Sequence, residues 1–176
     1  MTIDSIPQLI QSALERKLPP KTDYGIAFVG CGGIVNYGHI PSYQANGFNL
    51  IGGYDRDSQA AEKTVKTHGL KKVYESLDEV LSDPAVQIVD VAVVPEEQWN
   101  VVSKVIAAGK PLLCQKPFCV DYHKAVEMTT LAQQAGLKMA IHQQFRWSSI
   151  IQATHALMME GWLGDILDVQ VQVSIH

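Results

Sequence analysis

Apolar runs and helix-period segments take turns along most of the chain. Residues 25–29 read as an apolar strand, and a helix follows from about Gly33, which Pro41 kinks or ends. Residues 48–54 form the next strand, ending at Asp55, and 58–68 a helix closed by Gly69. A short strand at 72–74 and a short helix at 76–81 come next. Residues 88–94 are nearly continuous Val, Ile and Ala, interrupted by Asp90, as expected of a strand covered by helices on both faces. A helix over 96–108 stops at Gly109, a strand spans 111–114, Asp121 caps a helix to Ala135, and 137–141 is a last strand. Strands alternating with helices imply βαβ units. Right-handed crossovers then give an α/β fold of the Rossmann type, a doubly wound parallel sheet.

Both ends of the chain depart from this rhythm. Ile6, Leu9, Ile10, Ala13 and Leu14 make an amphipathic stripe with Ser5 as N-cap, followed by the stiff stretch Leu18-Pro19-Pro20-Lys21. This extension is expected to pack on the domain surface. After a helix at 148–160 and a turn at 161–164, Val169, Val171, Val173 and Ile175 alternate with polar residues. That pattern predicts a half-buried strand of antiparallel type, still running at His176. The expected division is an extension and linker at 1–21, a dinucleotide-binding domain at 22–147, and the truncated start of an α+β C-terminal domain at 148–176.

Composition narrows the partners. The 176 residues are 47% hydrophobic and 18% charged, with a net charge of −4, which suits a soluble globular chain. Neither nucleic acid nor an anionic membrane is expected as a partner. No apolar run is long enough to span a bilayer, and the N-terminus has no signal-peptide pattern. Cys31, Cys114 and Cys119 are too few for a disulfide framework and lack zinc-site spacing, so a cytoplasmic protein without a metal is expected.

The chemistry starts at Gly30-Cys31-Gly32-Gly33-Ile34-Val35, directly after the first strand and at the start of a helix. Gly30 permits a tight turn and Gly32 a close backbone approach to a pyrophosphate. The helix start offers unpaired N–H groups to phosphate. Val35 replaces the usual third small residue, implying a wider helix–strand contact. Asp55 ends the second strand about 20 residues on, where a carboxylate bonds a ribose 2′-hydroxyl. NAD is therefore expected over NADP, although the neighbouring Arg56 leaves NADP open.

Longer stretches carry a resemblance. They are the glycine loop, Asp55, Pro95, Ala107-Ala108-Gly109-Lys110-Pro111, Gln115-Lys116-Pro117-Phe118, Phe145-Arg146-Trp147 and Gly161-Trp162-Leu163-Gly164-Asp165-Ile166. From about residue 25 onward the chain resembles the N-terminal part of the Gfo/Idh/MocA family (glucose–fructose oxidoreductase, inositol dehydrogenase, MocA). The resemblance implies NAD(P)-dependent hydride transfer with a sugar or polyol hydroxyl. It makes Lys116 the catalytic lysine beside the nicotinamide, in a Lys116-Pro117 pair whose peptide is often cis. Cofactor contacts are expected from Gly30, Cys31, Gly32, Gly33, Ile34, Asp55, Arg56, Pro95, Gln115, Lys116 and Pro117. Arg146 either contacts substrate or pairs with a carboxylate, and His142 is a helper candidate at the nicotinamide end. The other histidines considered, His39, His68, His123 and His155, read as surface or core groups.

Two departures from the family pattern stand out. Gln115 replaces a glutamate, and Trp99 stands where a histidine is common, either stacking near the cofactor or filling the helix core. The family's catalytic Asp and His lie in a second domain beyond His176. The chain is thus expected to be a cofactor-binding half, working as a homo-oligomer or with a separate C-terminal half. The alternative is a non-catalytic dinucleotide sensor or partner-binding subunit.

Overall fold

The period-2 alternation of β1 decides how the sheet is covered. The computed structural model describes residues 3–15 and 18–172. In β1 (Ile26–Val29), Ala27 and Val29 face one apolar cluster, while Ile26 and Phe28 face another. All four are buried, so the strand is apolar throughout rather than alternating with polar residues.

The remaining strands are β2 (Leu50–Tyr54), β3 (Lys72–Val73), β4 (Ile88–Val91), β5 (Leu112–Gln115) and β6 (Met139–His142). They lie in the order β3-β2-β1-β4-β5-β6, and every neighbouring pair is parallel. This is the expected doubly wound sheet. Its order reverses between β1 and β4, and such sheets bind ligands at the carboxyl ends of the strands flanking that reversal.

The helices are α1 (Ile6–Leu14), α2 (Ile40–Ala45), α3 (Ser58–His68), α4 (Leu77–Ser82), α5 (Pro95–Ala107), α6 (Tyr122–Gln134) and α7 (Ser149–Met159). Val80 of α4, Val102, Val105 and Ile106 of α5, and Met128 and Ala132 of α6 belong to the larger apolar cluster. Val35 and Ile40 belong to the smaller one. Of the expected caps, Asp121 accepts from the N–H groups of His123 and Lys124, and Gly69 and Gly136 close their helices at φ 65° and 64°, whereas Ser5, itself in a helical conformation, does not cap α1 through its side chain. Asp57, which the sequence reading did not single out, accepts from the Gln59 N–H at the start of α3.

Pro41 does not end its helix. A π-helical segment, Val35–His39, precedes α2, and the Ile40 N–H reaches the Val35 carbonyl five residues back. The wider turn places Pro41 in the first turn of α2, where its missing N–H is tolerated.

Two units partition the chain. One is Leu18–His142, which holds the whole sheet; the other comprises the described residues of 1–17 and 143–172. In the second, α1 and α7 pack on each other, a pairing absent from the sequence reading. The strand expected at 169–175 does not form over 169–172, where Val169 and Val171 are exposed. A strand needs a ladder partner, and that unit has no other strand among its described residues. Residues 173–175 of the expected strand lie outside the described residues.

Candidate functional site

The glycine loop is held from three sides. Gly30 adopts φ 96°, and a Cβ there would stand 2.5 Å from the Ala92 carbonyl oxygen, so only glycine lets β1 turn this close to β4. Asp55 Oδ2 accepts the Cys31 N–H at 2.7 Å, and its Oδ1 accepts the Asp57 N–H at 3.0 Å. The Asn36 amide donates to the Cys31 and Gly32 carbonyls, both at 2.9 Å, and to Thr64 Oγ1 at 3.1 Å. Thr64 itself donates to the Cys31 carbonyl. With the carbonyls tied back, the N–H groups of the first helical turn are left for a ligand. Asn36 and Thr64 were invisible to motif reasoning, because both look like ordinary polar helix residues.

Cys31 supports the loop from beneath. Its thiol is buried against Gly53, and burial, reinforced by the Asp55 charge, pushes it up to about 12. It is an inert packing group.

Above the loop lies a cleft of about 450 Å³, lined by Gly30, Gly32, Asp55, Arg56, Val94 and Glu97 among others. A Cβ on Gly32 would meet nothing within 4 Å, so this backbone faces open space. The cleft sits where the strand order reverses, and it fits a dinucleotide: an approachable glycine backbone, a helix start and a carboxylate at one wall. Each Asp55 oxygen keeps a second lone pair for a ribose hydroxyl. Gly33 and Ile34 are exposed on the helix start, and Pro95 opens α5.

A second cluster lies in the sheet. Asp90 of β4 is fully buried, with both oxygens 3.1 Å from His39 Nδ1 and Oδ2 accepting the Tyr43 hydroxyl at 2.9 Å. His39 Nε2 is 3.0 Å from Gln115 Nε2, and Gln115 Oε1 accepts the Lys116 N–H at 2.7 Å. Lys116 and Pro117 are exposed at the β5 end, and the peptide between them is cis, as the resemblance implied. His142, which pairs with Gln115 in the β5–β6 register, stacks on His39 with ring centroids 4.2 Å apart. His39, Asp90 and His142 offer ligand atoms within 4.8 Å of one another. Both His39 nitrogens are already engaged, with Asp90 and with the Gln115 amide, so the arrangement is poor for a metal.

Gln98 is the residue of α5 turned toward this end of the sheet. It is fully buried, its Nε2 donates to the Gln115 carbonyl at 2.8 Å, and its Oε1 has no partner among the described residues. Trp99 packs against the apolar core. Sequence reasoning singled out Trp99 and passed over Gln98, one position away. Arg146 belongs to the other unit, where its guanidinium lies 5.8 Å from the Trp147 ring centroid.

Burial holds the His142 imidazole below its usual 6.5. The unfolded chain therefore binds the His142 proton more readily than the folded one. Stability should fall as pH drops below about 6.5 toward the depressed folded value. Melting curves between roughly pH 7 and 5 should show a smaller loss for His142→Phe than for the unsubstituted chain; parallel curves would remove His142 from the acid response.

Comparison with known proteins gives these features a family. A model described as an oxidoreductase family with an NAD-binding Rossmann fold, Gfo/Idh/MocA, matches residues 24–143. A D-apiose dehydrogenase of Paraburkholderia graminis is 27% identical over 78% of the chain, and the chain spans 37% of its length. A rabbit (Oryctolagus cuniculus) trans-1,2-dihydrobenzene-1,2-diol dehydrogenase is 32% identical over 63% of the chain, which spans 34% of it. An oxidoreductase from Agrobacterium radiobacter, solved with NAD+, L-tartaric acid and magnesium, superposes with a TM-score of 0.75. It is 27% identical over 82% of the chain and 42% of its own. No helix among the described residues is long and apolar enough to cross a membrane. With a sheet in dinucleotide-binding order, a glycine loop at its reversal point and this family match, the chain belongs to the Gfo/Idh/MocA oxidoreductases through its NAD-binding Rossmann domain.

Proposed function

We propose that this domain holds NAD along the β1–β4 crevice and presents it for hydride transfer with a secondary alcohol of a sugar or polyol. The observation that carries the reading is the cleft joining Gly30 and Gly32 to Asp55 at the strand-order reversal. The dinucleotide, when bound, supplies the hydride acceptor. Lys116, at the carboxyl end of β5, holds the substrate hydroxyl and offers positive charge to the developing alkoxide. Gly33, Ile34 and Pro95 flank the phosphates and the adjoining strand ends, while His142 and Arg146 are the substrate-side candidates.

Sugar or polyol chemistry rests on the relatives named for D-apiose and for a 1,2-diol. Because the chain spans little more than a third of those relatives, turnover is proposed for a whole that includes a C-terminal half of their kind, with homo-oligomers as the working form. The free thiols fit a reducing cytoplasm.

Intrinsic-fluorescence titration tests the binding reading. NAD should bind the chain at least about tenfold tighter than NADP, since the Asp55 carboxylate repels a 2′-phosphate. If neither binds, the reading fails. In the complete enzyme Lys116→Ala should lower kcat about 100-fold or more while leaving NAD affinity within about threefold. Equal loss of both would make Lys116 a cofactor-site residue and remove its proposed role.

A further inference from the structure

Asp90 interrupts the apolar strand β4 and is fully buried there. A buried carboxylate persists only where its lone pairs are met, and here they open a chain of hydrogen bonds. The direction of that chain can be fixed from its far end. The Lys116 N–H can only donate, so the Gln115 atom 2.7 Å away is Oε1. The Gln115 amide nitrogen then faces His39 Nε2 at 3.0 Å. An amide nitrogen can only donate, so His39 Nε2 carries a lone pair and the ring proton sits on Nδ1. Nδ1 lies 3.1 Å from both Asp90 oxygens and donates to them. The groups around His39 are thus Asp90 from β4, Gln115 from β5, the stacked His142 from β6, and Tyr43 from α2 through Asp90.

We infer that Gln115 is a positioning residue that couples the buried Asp90–His39 pair to the backbone of the Lys116–Pro117 loop. Its two amide ends do different work: the nitrogen engages the tautomer that Asp90 imposes on His39, and the oxygen clamps the Lys116 amide. A glutamate here would still accept from Lys116. It would, however, set two acceptors face to face at His39 Nε2, a conflict relieved only by an added proton shared between the ring and the carboxyl. The amide at residue 115 is therefore matched to a neutral His39. The effect of this clamp on turnover rests on the role proposed for Lys116; its existence does not.

Nitrogen NMR of the imidazoles in the full 15N-labelled chain tests it. The unsubstituted protein should show His39 with a pyrrole-type Nδ1 and a pyridine-type Nε2. In Gln115→Glu the added proton should move the His39 Nε2 resonance away from its position in the unsubstituted chain. In Gln115→Met hydrogen exchange at the Lys116 amide should accelerate about five- to tenfold, while the Leu112 and Cys114 amides keep their rates. A proton on Nε2 in the unsubstituted chain, or averaging between tautomers, overturns the inference even if neither variant folds. Unchanged Lys116 exchange in Gln115→Met overturns the clamp. A chain that shows the Nδ1–H tautomer and the clamp yet binds no NAD refutes the proposed function and leaves this inference standing.

Discussion

Gly30→Ala is expected to raise the NAD dissociation constant at least about 100-fold, a loss of about 2.7 kcal/mol or more. The backbone at Gly30 has φ 96°, which costs a non-glycine residue roughly 1–3 kcal/mol. The added Cβ would also lie 2.5 Å from the Ala92 oxygen and 2.7 Å from its carbon. Both are backbone atoms at the end of β4, so no side-chain rotation relieves the contact. Either β1 and β4 part at the crevice or the loop rises into it, and both remove the surface on which a pyrophosphate would lie. The melting temperature should fall as well. Gly32→Ala is the informative control, because its Cβ meets nothing within 4 Å. It should melt like the unsubstituted chain and still bind NAD poorly, since the methyl occupies the ligand's space. Titration and melting of the two variants separate a damaged fold from a blocked site. Normal NAD binding by Gly30→Ala would show that the loop does not carry the cofactor.

Features set by local period and local caps were legible in the sequence. The strand at β1, the helix Ser58–His68 closed by Gly69, and the helix capped by Asp121 lie where hydrophobic spacing and cap chemistry put them. The parallel order followed from alternation, and the glycine loop from its position between strand and helix. Features set by long-range partners were not legible. Asp90 showed only as a blemish in an apolar run, because its partners His39 and Tyr43 lie 51 and 47 residues away. His39 read as a surface or core group, and nothing local told that it would be the hinge of a hydrogen-bond chain. Gln98 was missed for a related reason. Near the start of a helix, one residue decides whether a side chain meets the β5 end or the core, and only the crossover geometry sets that phase. Pro41 does not end its helix because a π segment precedes it, a solution that propensity does not anticipate. The tail alternates as a strand would, yet alternation makes a strand only where a neighbour offers a ladder.

The buried cluster also sets the larger stability expectation. Asp90→Ala strips the acceptor from the His39 Nδ1–H and the Tyr43 hydroxyl, leaving two donors without that acceptor at a buried position. Each unsatisfied donor costs about 1–3 kcal/mol, so the two together cost about 2–6 kcal/mol. A domain of this size is stable by about 5–15 kcal/mol, so Asp90→Ala should lower the melting temperature by roughly 4–24 °C. Asp90→Asn should behave differently. Its oxygen can face the His39 Nδ1–H while its amide donates to the Tyr43 oxygen, and the cost of burying a full charge disappears. The two variants therefore separate the worth of the hydrogen bonds from that of the charge. A small shift for Asn beside a large one for Ala means that the satisfied donors hold the cluster. Equal large shifts would mean that the negative charge itself is required, and equal small shifts would mean that the cluster contributes little to folding. Thermal melts at neutral pH, where His142 is uncharged in the fold, read the difference without interference from that titration.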